Sequence, residues 1–450
     1  MISRKLINAA SLSLGISLMA SAAMAKVELN AMCFMNQKDT VAHAFNPTKA
    51  EIADDSVLKK NNVTTSDKDI DTKFRIASLS KLLTTDWAMN KLGPEYRFKT
   101  KIYVTPGSKT GSCNLHIEGD MDPYMGREML SRIFTQLKPK LQAQSCKYVE
   151  TFSYDEHFPV YLDVMKHQTA HDVGWEDPAR YFNSNKTKSD LTAFLKIKSG
   201  LSGNFNNIGM VTKEHYDEYL KGIPYKAYSV KSRPLYMIVK DMNKYSYNYP
   251  PNVIFEKLGG AANYKLFVQQ KMKLNSEDVE MYNGSGYPAM IDGEKKYNLV
   301  SCSSIVTILK DLDKTLQNYK GSRPFQMADV MAVGGPGETY STFKGLYAGG
   351  TYNNTLVAKT GSADKAITFG GMLSTTDGDL FFAVLTSPDN YGGADSTNAR
   401  VLIRSMVQTL AERNKLKKFD YKQLGDMKAT DEGSNMVDEP SSTKSSSSLK

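Results

Sequence analysis

Apolar residues recur at helical spacing directly after Ser78 and give the clearest structural signal of the chain. Most of them share one face of a helix: Leu79, Leu82, Leu83, Ala88 and Met89. Residues three and four positions apart lie on the same helical face, and Gly93-Pro94 ends the pattern. The sequence therefore predicts a helix over residues 78–92.

The second half of the chain predicts further helices and then strands. Helical spacing covers three segments: residues 234–243, residues 252–273 and a segment that begins after Ser303. Strand-like runs follow over residues 356–362, 367–374 and 380–387. Asp377-Gly378 between the last two runs is typical of a hairpin turn. A final helix is expected to begin at Asp395 or Ser396 and to end near residue 414.

The middle and the end of the chain have different patterns. Short strand-like runs separated by turns fill residues 96–160, with a small helix near residues 125–137. Residues 180–225 are polar and rich in Gly, Asn and Lys, so we expect loops there. Residues 426–450 are rich in Ser, Glu and Lys with almost no apolar content, and they are predicted to be a disordered tail.

These patterns together indicate an α/β (α+β) fold with an antiparallel sheet flanked by helices. The main domain is expected to be discontinuous, over residues 26–100 and 226–425, and to carry one inserted β-rich domain over residues 101–225. At 450 residues the chain is long enough for two domains of this kind.

The N-terminus has the pattern of a secretory signal peptide. Arg4 and Lys5 precede an apolar stretch over residues 12–20, which is too short to span a bilayer. Ala23-Met24-Ala25 then matches a signal peptidase site, so residues 1–25 are predicted to be removed. We therefore expect the protein in the periplasm, with an uncleaved membrane anchor as the alternative.

The chain contains four cysteines, an even number that allows one or two disulfides in an oxidising compartment. Cys113 and Cys146 each lead into a strand-like run, which favours them as a pair. Buried free thiols are the alternative. None of the spacings is C-x-x-C, which argues against a thiolate zinc site.

Three short motifs carry candidate chemistry, and the first is Ser78-Leu79-Ser80-Lys81. A residue three positions further on lies one turn up the same helical face, so the Lys81 amine can reach the Ser78 hydroxyl. A partly desolvated lysine with a lowered pKa can take the serine proton and create a nucleophile. At a helix N-terminus, the backbone N–H of Ser78 can also face a developing oxyanion.

The second motif is Ser246-Tyr247-Asn248. A hydroxyl at Ser246 can relay a proton to the leaving amine of a cleaved peptide. The Asn248 amide can hold both Lys81 and the peptide group of a substrate.

The third motif, Lys359-Thr360-Gly361, ends a predicted strand. The edge of that strand can pair with an extended substrate, while Lys359 and Thr360 attract the terminal carboxylate of the substrate. Gly361 lets the substrate approach closely, and the next residue, Ser362, offers a second backbone N–H to the oxyanion.

Each motif also occurs elsewhere, and the context selects the working set. Ser-x-x-Lys recurs at Ser441 and Ser447 in the predicted tail. A second Lys-Thr-Gly at Lys109 lies in a predicted hairpin turn and precedes the Ser-x-Asn motif. Lys359 instead ends a strand that is followed by two more strands and a helix.

These segments, in this order, resemble those of the serine D-alanyl-D-alanine peptidases and serine β-lactamases, whose signature is Ser-x-x-Lys, Ser-x-Asn and Lys-Thr-Gly. The chain is most similar to the penicillin-binding protein 4 type of D-Ala-D-Ala carboxypeptidase/endopeptidase. The likeness includes further segments: Leu92-Gly93-Pro94-Glu95-Tyr96-Arg97-Phe98, Gly119-Asp120-x-Asp122-Pro123, Met242-Asn243-Lys244 and Asn283-Gly284-Ser285-Gly286.

The resemblance implies a transpeptidase-like domain that acts on peptidoglycan, forms a covalent complex with β-lactams and needs no cofactor. The roles that it implies are Ser78 as nucleophile, Lys81 as base, Ser246 and Asn248 as proton relay and amide ligand, and Lys359 with Thr360 as carboxylate ligands. The formal net charge of +9 also suits an anionic wall, or a peripheral contact with a membrane surface. A nucleic acid partner is not expected.

Three features of the chain bear on substrate choice. The resemblance implies that Asp155 helps to hold a diaminopimelate side chain, with an ordinary strand-end acid as the alternative. Fewer positions separate Ser78 from Ser246 than in full-size relatives with two inserted domains, so we expect one insertion and a more open cleft. The family's Asp-Gly-Ser-Gly segment begins here with Asn283. The resemblance therefore does not determine the shape of that wall of the cleft, or the substrate preference that depends on it.

Three other functions are weighed against this one. A serine β-lactamase would share the acylation step, but the Glu-x-x-Leu-Asn loop of one class is absent and Ser246 replaces the Tyr of another. A metal peptidase would need H-E-x-x-H, and His167 and His171 have this spacing without the Glu. A non-catalytic peptidoglycan-binding protein would not need all three motifs intact.

Overall fold

The computed structural model describes residues 27–47, 64–65, 70–160, 185–206, 208–335, 341–342, 350–390, 392–422 and 433–442. The predicted signal peptide over residues 1–25 lies outside these residues, as do His167 and His171. No helix among the described residues combines the length and the apolar character that a membrane crossing requires.

Eighteen strands form among the described residues. In chain order they are β1 (Val27–Asn36), β2 (His43–Ala44), β3 (Thr64–Thr65), β4 (Lys73–Arg75), β5 (Lys99–Pro106), β6 (Ser112–Glu118), β7 (Tyr148–Tyr154), β8 (Ile208–Met210), β9 (Tyr225–Lys231), β10 (Val279–Glu280), β11 (Ala289–Ile291), β12 (Glu294–Lys296), β13 (Leu299–Ser301), β14 (Ala332–Val333), β15 (Leu356–Ala363), β16 (Ala366–Thr375), β17 (Gly378–Pro388) and β18 (Val437–Ser442). They build sheets of seven, six, three and two strands.

The same residues form nine α-helices. These are α1 (Ser80–Lys91), α2 (Arg127–Ala143), α3 (Asn185–Lys198), α4 (Lys213–Leu220), α5 (Leu235–Tyr245), α6 (Tyr249–Lys257), α7 (Gly260–Phe267), α8 (Cys302–Gln317) and α9 (Gly393–Arg413). A 3-10 turn, Ala77–Leu79, leads directly into α1.

The seven-stranded sheet is at the centre of the larger part of the molecule. Its order is β14-β15-β16-β17-β1-β2, with β3 beside β1. The predicted strands correspond to β15, β16 and β17, and Thr375 pairs with Gly378 at the predicted hairpin turn. β1 was not predicted, yet it pairs with β17 along its whole length. The α/β fold class is confirmed.

Apolar side chains cover both faces of this sheet. On one face, α1, α5, α6 and α8 share a core in which Leu82, Leu83 and Trp87 of α1 are almost completely buried. On the other face α9 packs against the strands. Burying a large apolar side chain contributes about 1.5–3 kcal/mol, so these residues hold α1 firmly against the sheet. A disulfide between Cys33 and Cys302 also links β1 to α8.

Two predictions about helices were wrong in part. The helix expected over residues 252–273 is interrupted at Gly259, whose φ of 101° is left-handed and ends α6. Residues 180–225 were expected to be loops, but they include α3 and α4. Leu191 and Leu195 of α3 are buried one turn apart, and this apolar spacing is hard to see among the many lysines of the segment.

The six-stranded sheet, in the order β18-β9-β5-β6-β7-β8, has an apolar core of its own with α2 and α3. Most of its strands come from the segment that was predicted to be inserted, and the bounds of that domain stay a prediction. Cys113 and Cys146 form a disulfide at one end of this sheet, so the predicted pairing is confirmed.

The prediction of a disordered tail over residues 426–450 was wrong for residues 433–442. This segment contains β18, which pairs with the outer edge of β9. Its charges are satisfied by the sheet that it joins, because Glu439 lies 2.6 Å from the Lys99 amine and Asp438 lies 2.7 Å from the Lys140 amine. Backbone pairing and ion pairs, rather than apolar burial, hold this strand, and composition therefore gave no signal of it.

Candidate active site

Ser78 lies where the chain turns into α1. Ala77 has a left-handed φ of 47°, which starts the 3-10 turn that carries Ser78. Ile76 and Leu79 on either side are fully buried, while Ser78 itself is half-buried. Lys81 follows one turn later, and its Nζ lies 2.8 Å from Ser78 Oγ. The structure thus brings together the serine and the lysine that the spacing predicted to meet.

The Lys81 amine is completely buried and surrounded by oxygen atoms. Its Nζ donates to Ser78 Oγ, to Asn248 Oδ1 and to the carbonyl of Ser285, each at 2.8 Å. Burial lowers the pKa of Lys81 well below its ordinary value, and the charge of Lys359 lowers it further. An amine that gives up its proton this readily can act as a base toward a serine hydroxyl.

The second motif lies in the sharp turn between α5 and α6. Ser246 ends α5 with a left-handed φ of 58°, and Asn248 precedes the first residue of α6. Asn243 fixes this end of α5, because its Nδ2 donates to Thr85 Oγ1 of α1 at 3.1 Å. The turn therefore presents Ser246 and Asn248 to the same side, opposite Ser78.

Lys359 of β15 completes the charged centre of the site. Its side chain is buried, and its Nζ donates to Ser246 Oγ at 2.9 Å and to the carbonyl of Thr360 at 2.7 Å. Burial lowers the pKa of Lys359 to about 7. Thr360 Oγ1 in turn donates to Thr342 Oγ1 at 2.8 Å. The three motifs that the sequence selected thus meet at one place.

Gly361 lies where β15 and β16 press against the turn before Ser78. A Cβ at position 361 would lie 2.0 Å from Thr368 Oγ1 and 2.8 Å from the carbonyl oxygen of Ile76. Thr368 Oγ1 donates to that same carbonyl at 2.9 Å. A side chain at 361 would therefore push the strands away from the serine.

Asn283 is a residue of the site that sequence reasoning noted only as a departure from the family. Its Oδ1 accepts from the backbone N–H of Ser285 at 3.1 Å and of Gly286 at 2.9 Å. Its Nδ2 donates to the carbonyl of Tyr287 at 2.6 Å. The side chain thus folds the loop into a tight turn that directs the Ser285 carbonyl at Lys81.

Asn298 supports this loop from behind, and no sequence signal pointed to it. Its Nδ2 donates to the carbonyl of Asn283 at 2.8 Å and to Ser80 Oγ at 2.9 Å. Ser80 Oγ donates to the carbonyl of Ala77 at 2.8 Å. One buried amide therefore connects the loop to the turn that carries the serine.

A cleft of about 600 Å³ follows the edge of β15. Residues from all three motifs line it, namely Ser78, Ser246, Asn248, Thr360, Gly361 and Ser362. β14 pairs with β15 only at Val357 and Ala358, and beyond Ala358 no strand among the described residues borders this edge. An extended peptide can therefore pair with β15 beside Ser78.

Asp155 is not among the described residues that line this cleft. Its carboxylate is buried at the end of β7, where Oδ1 accepts from the backbone N–H of Gly119 at 2.8 Å and of His157 at 3.1 Å. Burial raises the pKa of Asp155 to about 6. With Glu156 and His157, it is the one group of side chains in the described part of the chain with the spacing of metal ligands. A substrate-binding role for Asp155 stays a prediction.

The chain matches the sequence model of the D-Ala-D-Ala carboxypeptidase 3 (S13) family over residues 56–185 and 224–412. These residues include all three motifs and make up more than half of the chain. A search among curated proteins finds no match.

Solved structures with a similar fold include proteins from Bdellovibrio bacteriovorus and Haemophilus influenzae. A predatory peptidoglycan endopeptidase from Bdellovibrio bacteriovorus is 28% identical with a TM-score of 0.72, over 92% of this chain and 100% of that chain. Its penicillin G-acylated form, in complex with an immunity protein, is 29% identical with a TM-score of 0.68 over the same shares. Penicillin-binding protein 4 from Haemophilus influenzae is 14% identical with a TM-score of 0.56, over 87% of this chain and 96% of that chain, and shares the fold.

Proposed function

We propose that this chain, which belongs to the D-Ala-D-Ala carboxypeptidase 3 (S13) family, is a serine peptidase that cleaves D-alanine-containing peptides of peptidoglycan through an acyl-enzyme on Ser78. The observation that carries the proposal is the 2.8 Å contact between the buried Lys81 amine and Ser78 Oγ. The related endopeptidase acylated by penicillin G supports the same covalent chemistry.

Acylation begins with Lys81. In its neutral form the amine takes the proton of Ser78, and Ser78 Oγ attacks the carbonyl carbon of the penultimate D-Ala. The negative charge on the carbonyl oxygen is stabilised by the backbone N–H groups of Ser78 and Ser362. The C–N bond then breaks, and the proton that Lys81 took from Ser78 passes through the Ser246 hydroxyl to the leaving amine, which leaves Lys81 neutral for the second step.

Hydrolysis releases the product in a second step. Water attacks the ester carbonyl, Lys81 takes a proton from it, and Ser78 Oγ leaves with that proton. If the departing amine was free D-Ala, the reaction is that of a carboxypeptidase. If it belonged to the diamino acid of a neighbouring stem peptide, the reaction is that of an endopeptidase and opens a cross-link.

The remaining site residues position the substrate in this proposal. Lys359 and Thr360 bind the carboxylate on the leaving side, and Asn248 binds the peptide group on the acyl side. The edge of β15 gives the backbone hydrogen bonds. Because the substrate is the cell wall, we place the mature protein in the periplasm, after removal of residues 1–25.

Labelling with a fluorescent penicillin tests the proposal. The wild type is expected to label covalently, and Ser78→Ala to lose the label completely. Ser441→Ala is the matched control, because Ser441 also begins a Ser-x-x-Lys motif but lies on β18, and it is expected to label normally. Release of D-Ala or cleavage of cross-linked muropeptides by the wild type, and by the control, completes the test. A wild type that neither labels nor cleaves would overturn the proposal.

A further inference from the structure

The start of α6 is a helix end that its preceding asparagine does not cap. Asn248 precedes the helix, and an asparagine in this position usually accepts a hydrogen bond from a backbone N–H of the first turn. Here its side-chain oxygen accepts from the Lys81 amine at 2.8 Å instead. Pro250 and Pro251 follow within the first turn and carry no backbone N–H. The turn before α6 is therefore not held in place by the helix itself.

Ser246, at the other end of this turn, adds backbone strain. Its left-handed φ of 58° is unfavourable for a residue other than glycine, and such conformations persist only where the surrounding structure holds them. The turn thus joins a strained residue to a helix start without its usual cap. The proposed chemistry nevertheless needs both Ser246 and Asn248 in place to within about 1 Å, because larger misplacements of reacting groups slow catalysis strongly.

Tyr249 connects this turn to the six-stranded sheet. Its side chain is buried, and its hydroxyl donates to the carbonyl of Pro159 at 2.9 Å. Tyr249 is joined to Asn248 by a single peptide bond, whereas Pro159 lies beyond the end of β7, which belongs to the six-stranded sheet. The hydrogen bond therefore links the amide that contacts Lys81 to a segment that is not among the described residues lining the cleft.

The chain that leads from β7 to Pro159 packs closely on Gly119. The Asp155 carboxylate accepts from the backbone N–H of Gly119 at 2.8 Å and of His157 at 3.1 Å. A Cβ at position 119 would lie 2.0 Å from the carbonyl oxygen of His157, so the two segments touch backbone to backbone. Phe158 is almost completely buried. These contacts restrict the carbonyl of Pro159, which can therefore serve as a fixed acceptor.

We propose that Tyr249 is a positioning residue for acylation, through which the six-stranded sheet holds Asn248 against the Lys81 amine. The inference rests on the proposed function and adds a residue that supports the same site. Tyr249 acts through Asn248 and not by contact with the substrate. Without its hydrogen bond the turn shifts, the Asn248 oxygen moves away from Lys81, and the proposed base loses one of the three oxygen atoms that orient it.

Tyr249→Phe removes only the hydroxyl and tests the inference. The second-order rate constant of acylation by penicillin, measured from pH 4 to 9, is expected to fall about 5- to 20-fold. The acid limb of the pH profile should also move to lower pH, because the Asn248 oxygen stabilises the charged form of Lys81. The basic limb, which reports the charge of Lys359, should not move, since Lys359 keeps its own contacts.

Tyr264→Phe and Val253→Ala are the controls. Tyr264 is buried in the same core as Tyr249, and its hydroxyl has no hydrogen-bond partner within the described residues, so this variant should be acylated as the wild type is. Val253 is a buried residue of α6. Val253→Ala should lower Tm by leaving a cavity, while the acid limb stays where it is in the wild type.

Three results would overturn the inference while the proposed function stands. The first is a wild-type rate and profile in Tyr249→Phe. The second is a slower rate with an unmoved acid limb, which is expected if the hydroxyl only stabilises the fold. The third is an acid limb that moves equally in Val253→Ala. If the wild type is not acylated at all, the proposed function itself fails.

Discussion

Lys81 and Asn248, 167 positions apart in the chain, are joined by a 2.8 Å hydrogen bond from the amine to the amide oxygen. This bond links α1, which directly follows the turn that carries Ser78, to the turn that carries Ser246. The position of the proposed base thus depends on how α1 packs against α5 and α6, and not on the Ser-x-x-Lys motif alone. The following predictions concern residues that set this arrangement.

Asn283 should control acylation without contacting the substrate. Asn283→Ala removes the acceptor that holds Ser285 and Gly286, so the Ser285 carbonyl no longer holds the Lys81 amine in place. The rate of penicillin acylation is expected to fall about 10- to 100-fold, because small misplacements of reacting groups have effects of this size. Stopped-flow labelling measures the rate.

Asn283→Asp is the matched variant for this prediction. It keeps the acceptor of both backbone hydrogen bonds but places a second acceptor oxygen against the Tyr287 carbonyl, so the acylation rate should recover in part and lie between those of Asn283→Ala and the wild type. Equal rates in Asn283→Ala and the wild type would contradict the role of this side chain.

Lys359 should give the reaction a pH limit that depends on the substrate. Burial lowers its pKa to about 7, so the amine is charged below this pH and loses its charge above it. A substrate with a free C-terminal carboxylate should therefore lose kcat/KM above about pH 7, relative to the same peptide with a C-terminal amide. The ratio of the two values from pH 5 to 9 is the measurement, since the titration of Lys81 affects both peptides. A ratio that stays flat over this range would rule out Lys359 as the carboxylate ligand.

Asp86 should make the folded protein less stable as the pH rises. This carboxyl group is buried in α1, and its pKa is raised well above the ordinary value, mainly by burial and also by the charge of Asp311. Its contribution is fully present below the pKa of the unfolded chain and is lost as the pH rises through the folded pKa. Asp86→Asn keeps the shape and removes the charge, so Tm at pH 8 should rise by several degrees.

Thermal unfolding at pH 5 and pH 8 tests this prediction. The difference in Tm between the two pH values should be smaller in Asp86→Asn than in the wild type. An identical pH dependence in the two proteins would mean that Asp86 is not held neutral in the folded state.

The strand β18 should stabilise the six-stranded sheet without affecting catalysis. Truncation before residue 433 removes the partner of β9 and leaves Lys99 and Lys140 without their acidic neighbours. Tm is expected to fall by several degrees, and the exposed edge of β9 should favour association between molecules. Calorimetry and light scattering measure the two effects. Truncation before residue 443 is the control and should behave as the full chain; an unchanged Tm in the longer truncation would contradict the prediction.

The site could be predicted from the sequence where local spacing decides the geometry. Ser78 and Lys81 meet because three positions make almost one helical turn, and Lys359 follows from a strand with a clear apolar pattern. The contribution of Asn298 could not be predicted, because its hydrogen bonds to Ser80 and Asn283 join distant segments and leave no periodic signal.

The fold could be predicted to a similar extent. The strands β15, β16 and β17 are almost entirely buried, and their sequences are recognisable as apolar runs. In β1 the buried polar Asn30 interrupts the apolar residues, so the sequence did not indicate a strand. β18 carries no apolar run at all, because its pairing energy comes from backbone hydrogen bonds and from lysines of the neighbouring sheet. Both β1 and β18 form because of contacts with distant parts of the chain, and the local composition of a segment does not indicate such contacts.

The disulfide between Cys33 and Cys302 encloses 269 positions of the chain in one covalent ring. Ser78, Lys81 and the Ser246 turn all lie inside this ring. A single proteolytic cut between the two cysteines would therefore open the ring, but the disulfide would still join the two fragments. On a denaturing gel the fragments would run as one band, and they would separate only after a reductant is added. Lys359 lies outside the ring, so after a cut between residues 302 and 359 no covalent link would join it to the rest of the site, and only the pairing of β15 within the sheet would hold it there.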